Sequence, residues 1–213
     1  MRQLGLMAAL VVAGCVTAPA PSSRPPAAPG PNPYAAAPWA GVFSELFACN
    51  GGAGSNLGPI GGRGEAKLYT PYIHTAAGAL LRNPTEGACL SSGFGWRGTA
   101  DGGGREHTGI DLANPGGGYI YAAADGRVAF AEWRGGYGNV LEIDHGHGVR
   151  TLYAHLSEID LNLVQGAFVQ AGAPVARMGS TGNATGVHLH YEVSVDGLKV
   201  DPLTYGVQAG VVG

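Results

Sequence analysis

A mostly β, antiparallel fold is what this 213-residue sequence predicts, on three observations. First, 38 glycines and 14 prolines fill about a quarter of the chain. Glycine in a helix interior costs backbone entropy, so such a composition disfavours helical bundles and favours turns, bulges and close backbone approach. Second, short β-prone runs recur beyond Leu90, at 119–121, 127–133, 139–144, 149–154, 174–178 and 188–195. Third, turn residues separate them. Asp125-Gly126 and Asp196-Gly197 suit two-residue type I′ hairpins, while Gly135-Gly136 and residues 146–148 supply the positive φ of longer ones. A hydrophobic share of 45%, concentrated after about residue 66, fits one globular domain behind a Gly/Pro-rich section.

The chain begins with a cationic Met1-Arg2-Gln3 and an apolar run, 4–13, too short to span a bilayer as a helix. Residues 1–14 therefore read as an export signal. Their end, Val12-Ala13-Gly14-Cys15, resembles the lipobox of bacterial lipoproteins, in which Cys15 would become the lipid-bearing N-terminus and anchor the protein to a membrane. Residues 15–38 follow as a proline-rich tether, with Arg24 its one charged residue. In extended polyproline form at about 3.1 Å per residue, it could hold a domain up to roughly 70 Å from its anchor. Val16, not Asp, follows Cys15, a pattern that in Gram-negative lipoproteins goes with outer-membrane sorting.

With Cys15 set aside, Cys49 and Cys89 remain as an even pair in an exported chain, where a disulfide is favoured and two buried thiols are the alternative. Residues 39–89 form a glycine-rich extension without sustained period, 90–205 the principal domain, and 206–213 a short tail. Charge is nearly balanced, 12 Lys and Arg against 15 Asp and Glu, so no basic footprint for nucleic acid exists.

Seven histidines stand at 74, 107, 145, 147, 155, 188 and 190. In His107-Thr108-Gly109-Ile110-Asp111, Gly109 and the β-branched neighbours disfavour a helix. On one strand, His107 and Asp111 would share a face. In Val187-His188-Leu189-His190-Tyr191-Glu192-Val193 the same period puts His188, His190 and Glu192 on one face and apolar residues on the other. Neighbouring imidazoles repel when protonated, and a shared divalent ion removes that conflict. His155 closes the segment Tyr153-Ala154-His155-Leu156, where alternation with Leu152 and Ala154 would set Tyr153 and His155 on a polar face. His145 and His147 have the same spacing as His188 and His190, but their flanking glycines read as a flexible hairpin tip without the support that a site needs. His74 lies in the extension, from which it could cover a site. Glu192 and Asp144 are candidate partners to fix an imidazole tautomer, with a surface carboxylate or a turn residue as the alternative.

The ordered set Ser92-Gly93-Phe94-Gly95-Trp96-Arg97, His107 to Asp111 as above, Tyr153-Ala154-His155-Leu156, Gly182 and His188-Leu189-His190 resembles the lysostaphin-type zinc metallopeptidases over about residues 90–205. The resemblance implies an antiparallel β-sheet groove fold (a duplicated hybrid motif of the barrel-sandwich kind), with one zinc ion on the groove floor. By the same resemblance His107, Asp111 and His190 are the metal ligands, and His155 and His188 act on the substrate as base or oxyanion stabiliser. Residues 101–105 would form one groove wall. Val187 and Tyr191 stand where Pro and Phe are common, and 116–119 replaces a more constrained turn. None of these departures removes a ligand. A mixed N and O set of three ligands leaves tetrahedral zinc a place for water, as catalytic sites require, and no HExxH glutamate is present.

The expected activity is zinc-dependent hydrolysis of peptide cross-links in peptidoglycan. The bond would be D-Ala to meso-diaminopimelate in a Gram-negative envelope, or a glycine bridge. The partners implied are peptidoglycan peptide stems and the membrane reached through Cys15, with the protein on the periplasmic face of the cell envelope. The alternative is a catalytically silent lipoprotein that binds and activates other wall hydrolases, for which loss of ligands would be the signature.

Overall fold

The computed structural model of the protein describes residues 45–46, 48–49, 67–68, 71–98 and 103–206. The leader, Cys15, the tether and Asp101 lie outside the described residues. In chain order the strands are β1 (Glu45–Leu46), β2 (Lys67–Leu68), β3 (Tyr72–Thr75), β4 (Gly78–Leu81), β5 (Cys89–Ser92), β6 (Gly95–Gly98), β7 (Gly104–His107), β8 (Ile110–Ala113) and β9 (Tyr119–Tyr121). They continue as β10 (Gly126–Trp133), β11 (Asn139–Gly146), β12 (Val149–Leu156), β13 (Glu158–Ile159), β14 (Phe168–Val169), β15 (Pro174–Arg177), β16 (His188–Val195) and β17 (Leu198–Val200). A single 3-10 turn, Gly135–Tyr137, is the only helical element among the described residues. The antiparallel β prediction holds.

The main sheet runs β14-β10-β11-β12-β16-β8-β5, with β17 also paired to β16. Its registers put Tyr153 opposite Tyr191, Thr151 opposite Val193 and Leu112 opposite Leu189, and all six side chains are buried on one face. Because successive residues point to opposite faces, the other face receives Ala154 opposite His190, Leu152 opposite Glu192, and His190 opposite Asp111. One period-2 pattern therefore builds a core and a polar floor on the same strands.

The extension belongs to the core side. Leu46, Ile73, Leu80 and Leu81 join the cluster of Ile110, Leu112, Tyr153, Leu189 and Tyr191, as do Ile120 and Ala176 from the separate sheet β13-β15-β9. Tyr191, which departs from the common Phe, donates its hydroxyl proton to Leu81 O at 3.0 Å. Buried Arg82 donates to the carbonyls of Pro202, Leu203 and Tyr72, so its charge ties β4 to the C-terminal segment. The described part of the extension thus packs against the face opposite the polar floor. His74 is exposed on β3.

The turn at Asp196-Gly197 forms as predicted, and the one in 146–148 is a two-residue turn and not the longer hairpin expected there. Asp196-Gly197 (φ 50° and 80°) joins β16 to β17, and His147-Gly148 (φ 51° and 76°) joins β11 to β12, the positive φ pair that a two-residue type I′ turn needs. Asp125-Gly126 is not a hairpin. β9 pairs with β15, β10 pairs with β11 and β14, and Asp125 Oδ1 accepts from Ala171 N–H at 2.7 Å. A local dipeptide cannot dictate pairing when the following strand finds better partners elsewhere.

Cys49 and Cys89 form a disulfide across a sequence separation of 40, and Cys49 N–H donates to Leu90 O at 2.9 Å beside it. The bridge holds residues 48–49 along β5. Replacing both cysteines by alanine is expected to lower unfolding free energy by up to about 4 kcal/mol, the chain entropy of such a loop. Urea denaturation of the variant against the oxidised and reduced wild type measures it.

Candidate metal centre

His107 ends β7 and Asp111 stands in β8, so the two do not share one continuous strand as predicted. Thr108 and Gly109 bend the chain between two sheets, and a Cβ at Gly109 would run into Tyr191 O, which explains the glycine at this crossing. The bend still brings His107 Nε2 to 3.1 Å from Asp111 Oδ1. His190, beside Asp111 in the register, places Nδ1 at 2.9 Å from the same oxygen and 3.0 Å from His107 Nε2.

The outward nitrogens decide what meets there. His107 Nδ1–H donates to Gly93 O at 2.5 Å, and His190 Nε2–H donates to Glu192 Oε1 at 3.0 Å. Neutral imidazole has one donor and one acceptor, so each ring turns a lone pair inward, toward a carboxylate oxygen. Three lone pairs within hydrogen-bond distance repel unless a cation lies between them. Donors bound to a tetrahedral ion at about 2.0–2.1 Å sit roughly 3.4 Å apart, only a few tenths wider than the spacing here. His107, Asp111 and His190 thus fit a divalent metal, and they are the one such group among the described residues.

The electrostatics favour positive charge at this point. Burial opposes ionisation of Asp111, but His107 and His190 outweigh it and hold the carboxyl well below the usual range. Burial likewise works against protonation of His190, yet the carboxylates of Asp111 and Glu192 raise it. Glu192 is pulled down to about 2: burial resists, and hydrogen bonds from His190, Lys199 and Thr108 prevail.

His155 and His188 stand beside this group with ring centroids 4.7 Å apart, His155 being 6.0 Å from His190. His188 donates Nδ1–H to Gly186 O at 2.9 Å and turns Nε2 toward Asp111 Oδ1, 3.8 Å away. His155 corrects the simple alternation. Tyr153 lies on the core face, and period 2 would send His155 after it. A left-handed backbone (φ 60°) turns the imidazole to the floor instead, a conformation that costs a non-glycine residue about 1–2 kcal/mol. Its Nδ1–H donates to Thr181 O at 2.8 Å. Burial lowers its pKa, with neighbouring His188 and His190 adding to the effect. In the neutral ring the bond to Thr181 O leaves Nε2 as the acceptor. All five residues line a cavity of about 360 Å3.

Comparison with known proteins agrees with this geometry. Residues 105–202 match the peptidase family M23 model. The catalytic domain of a mutant of the prophage-encoded M23 protein EnpA from Enterococcus faecalis is 34% identical, with 56% of this chain and 92% of that chain covered and a TM-score of 0.50. The chain belongs to peptidase family M23. Over 100 residues it is 48% identical to the DD-carboxypeptidase/endopeptidase Mpg of Neisseria meningitidis serogroup B, covering 47% of this chain and 23% of that protein. It is also 39% identical over 125 residues to the murein hydrolase activator NlpD of Escherichia coli, covering 58% and 30%. The chain thus spans less than a third of either relative.

Other residues of this M23 domain fall into place around the centre. Arg97, quoted in the sequence motif without a role, donates Nη2–H to Asp111 Oδ2 at 2.6 Å. Glu192 Oε1, beneath His190, also accepts from Tyr137 Oη at 2.9 Å and from Thr108, and Lys199 Nζ lies 2.6 Å from Oε2. The predicted part for Glu192 is met, whereas Tyr137, Thr108 and Lys199 carried no sequence signal beyond their residue types. Asp144 serves elsewhere, paired with Arg150 and accepting from Gly146 N–H. His145 is not on a flexible tip: it lies in β11, bonded to Asp125 O and Thr151 Oγ1 at 2.8 Å each. Only His147 occupies the turn.

Thr181, the anchor of His155, depends on two glycines. A Cβ at Gly182 (φ 71°) would meet Gly138 N and Gly136 O, and one at Gly138 would meet Thr181. Gly182→Ala is expected to destabilise the fold by about 2–4 kcal/mol, from the left-handed backbone and the overpacking together. A shift of the urea midpoint measures it.

Proposed function

We propose that the protein is a zinc-dependent endopeptidase that hydrolyses peptide cross-links of bacterial peptidoglycan, most simply the bond from D-Ala to meso-diaminopimelate. The observation that carries the reading is the convergence of three anchored lone pairs, from His107, Asp111 and His190, beside two further imidazoles in one open cavity. Two imidazoles and one carboxylate suit zinc and leave it a free position. Bound zinc would supply Lewis acidity to the scissile carbonyl and to a water.

The chain's own groups supply the rest. His155 Nε2, held as an acceptor by the bond from Nδ1–H to Thr181 O, would take a proton from the attacking water and return it to the leaving nitrogen. As the water oxygen joins the carbonyl carbon and the C–N bond breaks, His188, its ring 4.7 Å from that of His155, would steady the developing charge. Glu192 orients His190, and Arg97 takes the second oxygen of Asp111, so that the first remains directed inward. Lipid at Cys15 and the tether would place this groove at the periplasmic face of the envelope, on the outer membrane, within reach of the wall.

The similarity to NlpD supports a second reading, a silent activator of other wall hydrolases. The filled ligand positions favour the enzyme. Purified sacculi incubated with the whole chain distinguish the two: cross-linked muropeptides are expected to fall with zinc, not with chelator, and not with His190→Ala. Intact cross-links with zinc-loaded wild type, together with stimulation of an added wall hydrolase, would establish the activator. His155→Ala is expected to retain zinc and lose about 100- to 10,000-fold in rate. Glu192→Gln, which unsettles the His190 tautomer, is expected to weaken zinc binding about 10- to 100-fold in competition with a fluorescent chelator.

A further inference from the structure

The β6–β7 ribbon that delivers His107 carries an unusual pair. Its register sets Arg97 directly opposite Arg105 and Gly95 opposite His107. Cross-strand partners, and residues two apart on a strand, share a face. Arg97, Arg105 and His107 therefore point the same way, and all three line the cavity. Like charges directly opposite one another in a ribbon destabilise it, unless something anionic lies between or beside them.

Arg97 is answered by Asp111 through Nη2, while its buried Nε–H finds no acceptor among the described residues. Arg105 is not answered among the described residues. Of the cationic side chains described, Arg82 and Arg127 reach carbonyls, Arg134 and Arg150 reach Glu142, Arg177 lies over the Tyr119 ring, and Lys199 meets Glu192. Arg105 has no such partner among the described residues, and it is exposed in the groove wall. Glu106, one position out of phase on the same strand, borders the cavity opposite Trp96. Gly136, Asn183, Ala184 and Thr185, which also line the cavity, carry no charge. The β7 rim of the cavity thus carries one guanidinium, Arg105, that no described acid pairs, with Glu106 next to it in the strand but on the other strand face.

We propose that Arg105, backed by Arg97, is a subsite for a substrate carboxylate on the leaving side of the scissile bond. Arg105 stands two residues, about 7 Å of strand, from His107, so its ligand lies within about one residue of the reacting bond. The acyl residue's own carboxyl is the one under attack, so the free α-carboxylate is assigned to the residue that contributes the scissile nitrogen. The inference rests on the peptidase reading and narrows it. The substrate class is a peptide whose leaving residue is an α-amino acid with a free carboxylate, and glycine bridges, which lack one there, are disfavoured. That carboxylate comes either from a chain-terminal residue or from a residue held in a cross-link through its amine.

The test compares acids with amides. Acetyl-D-Ala-D-Ala and its C-terminal amide represent the first source. A D-Ala to diaminopimelate cross-linked muropeptide dimer, with the leaving carboxylate free or amidated, represents the second. Zinc-loaded full-length wild type is expected to favour the acid by about tenfold or more in kcat/KM for at least one source, and the source that shows it is the natural one. Arg105→Gln is expected to bring that ratio near one, and Arg105→Lys, which keeps charge without the fork, to leave it intermediate. Calorimetric titration of the full chain in chelator, where nothing is cut, gives a readout independent of turnover: the acid should bind about tenfold tighter than the amide, and Arg105→Gln should erase the difference. Equal binding of acid and amide by wild type, or a preference that survives Arg105→Gln, overturns the subsite. If the zinc-loaded protein cuts no peptide while the binding preference is present and lost in Arg105→Gln, the subsite stands and the peptidase reading falls.

Discussion

Each imidazole of the groove floor is held by the nitrogen that faces away from the centre, and the chemistry depends on that restraint. Neutral imidazole has one donor and one acceptor, so the group that takes the outward N–H also determines where the lone pair points. Gly93 O, Thr181 O and Gly186 O each take Nδ1–H from His107, His155 and His188, which turns Nε2 inward. His190 is reversed, because Glu192 lies on its own strand face and takes Nε2–H. Without these acceptors the rings could present either tautomer, and the inward lone pairs would not be assured.

The acceptors come from separate parts of the chain, so the fold has to hold several loops still. Gly138 and Gly182 let two loops touch backbone to backbone, which fixes Thr181 and, through it, His155. Gly109 lets the crossing between β7 and β8 lie against Tyr191 O. Glu192 gathers donors from Thr108, Tyr137, His190 and Lys199, linking the bend after β7, the 3-10 turn, β16 and β17. A buried carboxylate so surrounded is rigid because displacing it would strand several donors at once.

The described part of the extension packs on the other face of the same sheet. Tyr191 and Tyr153 alternate with His190 and Ala154, and their side shares a core with Ile73, Leu80 and Leu81. The hydroxyl of Tyr191 and the guanidinium of Arg82 both bond to carbonyls of this layer, so its packing is polar as well as apolar. The described part of the extension therefore meets the sheet on the side away from the floor.

Much of this was legible in the residues themselves. Strand period exposed the two faces of 188–195, glycine content excluded helical packing, and the His107, Asp111, His155, His188 and His190 set stood out as polar residues in apolar strands. Local chemistry carries such information because alternation and turn preference act within a few residues. What it could not convey was set by neighbours distant in the chain. Asp125-Gly126 looked like a hairpin until β15 and β14 took the adjoining strands; the bend at Gly109 replaced a straight strand; and φ at His155 reversed the face that alternation assigns. The described part of the extension, without period, gained its place from the apolar surface waiting on the sheet. The sequence by itself determined residue types and their two-sided pattern. Only the tertiary structure decided which carbonyls anchor His107 and His155, because Gly93 and Thr181, 14 and 26 residues away along the chain, reach these rings through loop positions that no local preference encodes.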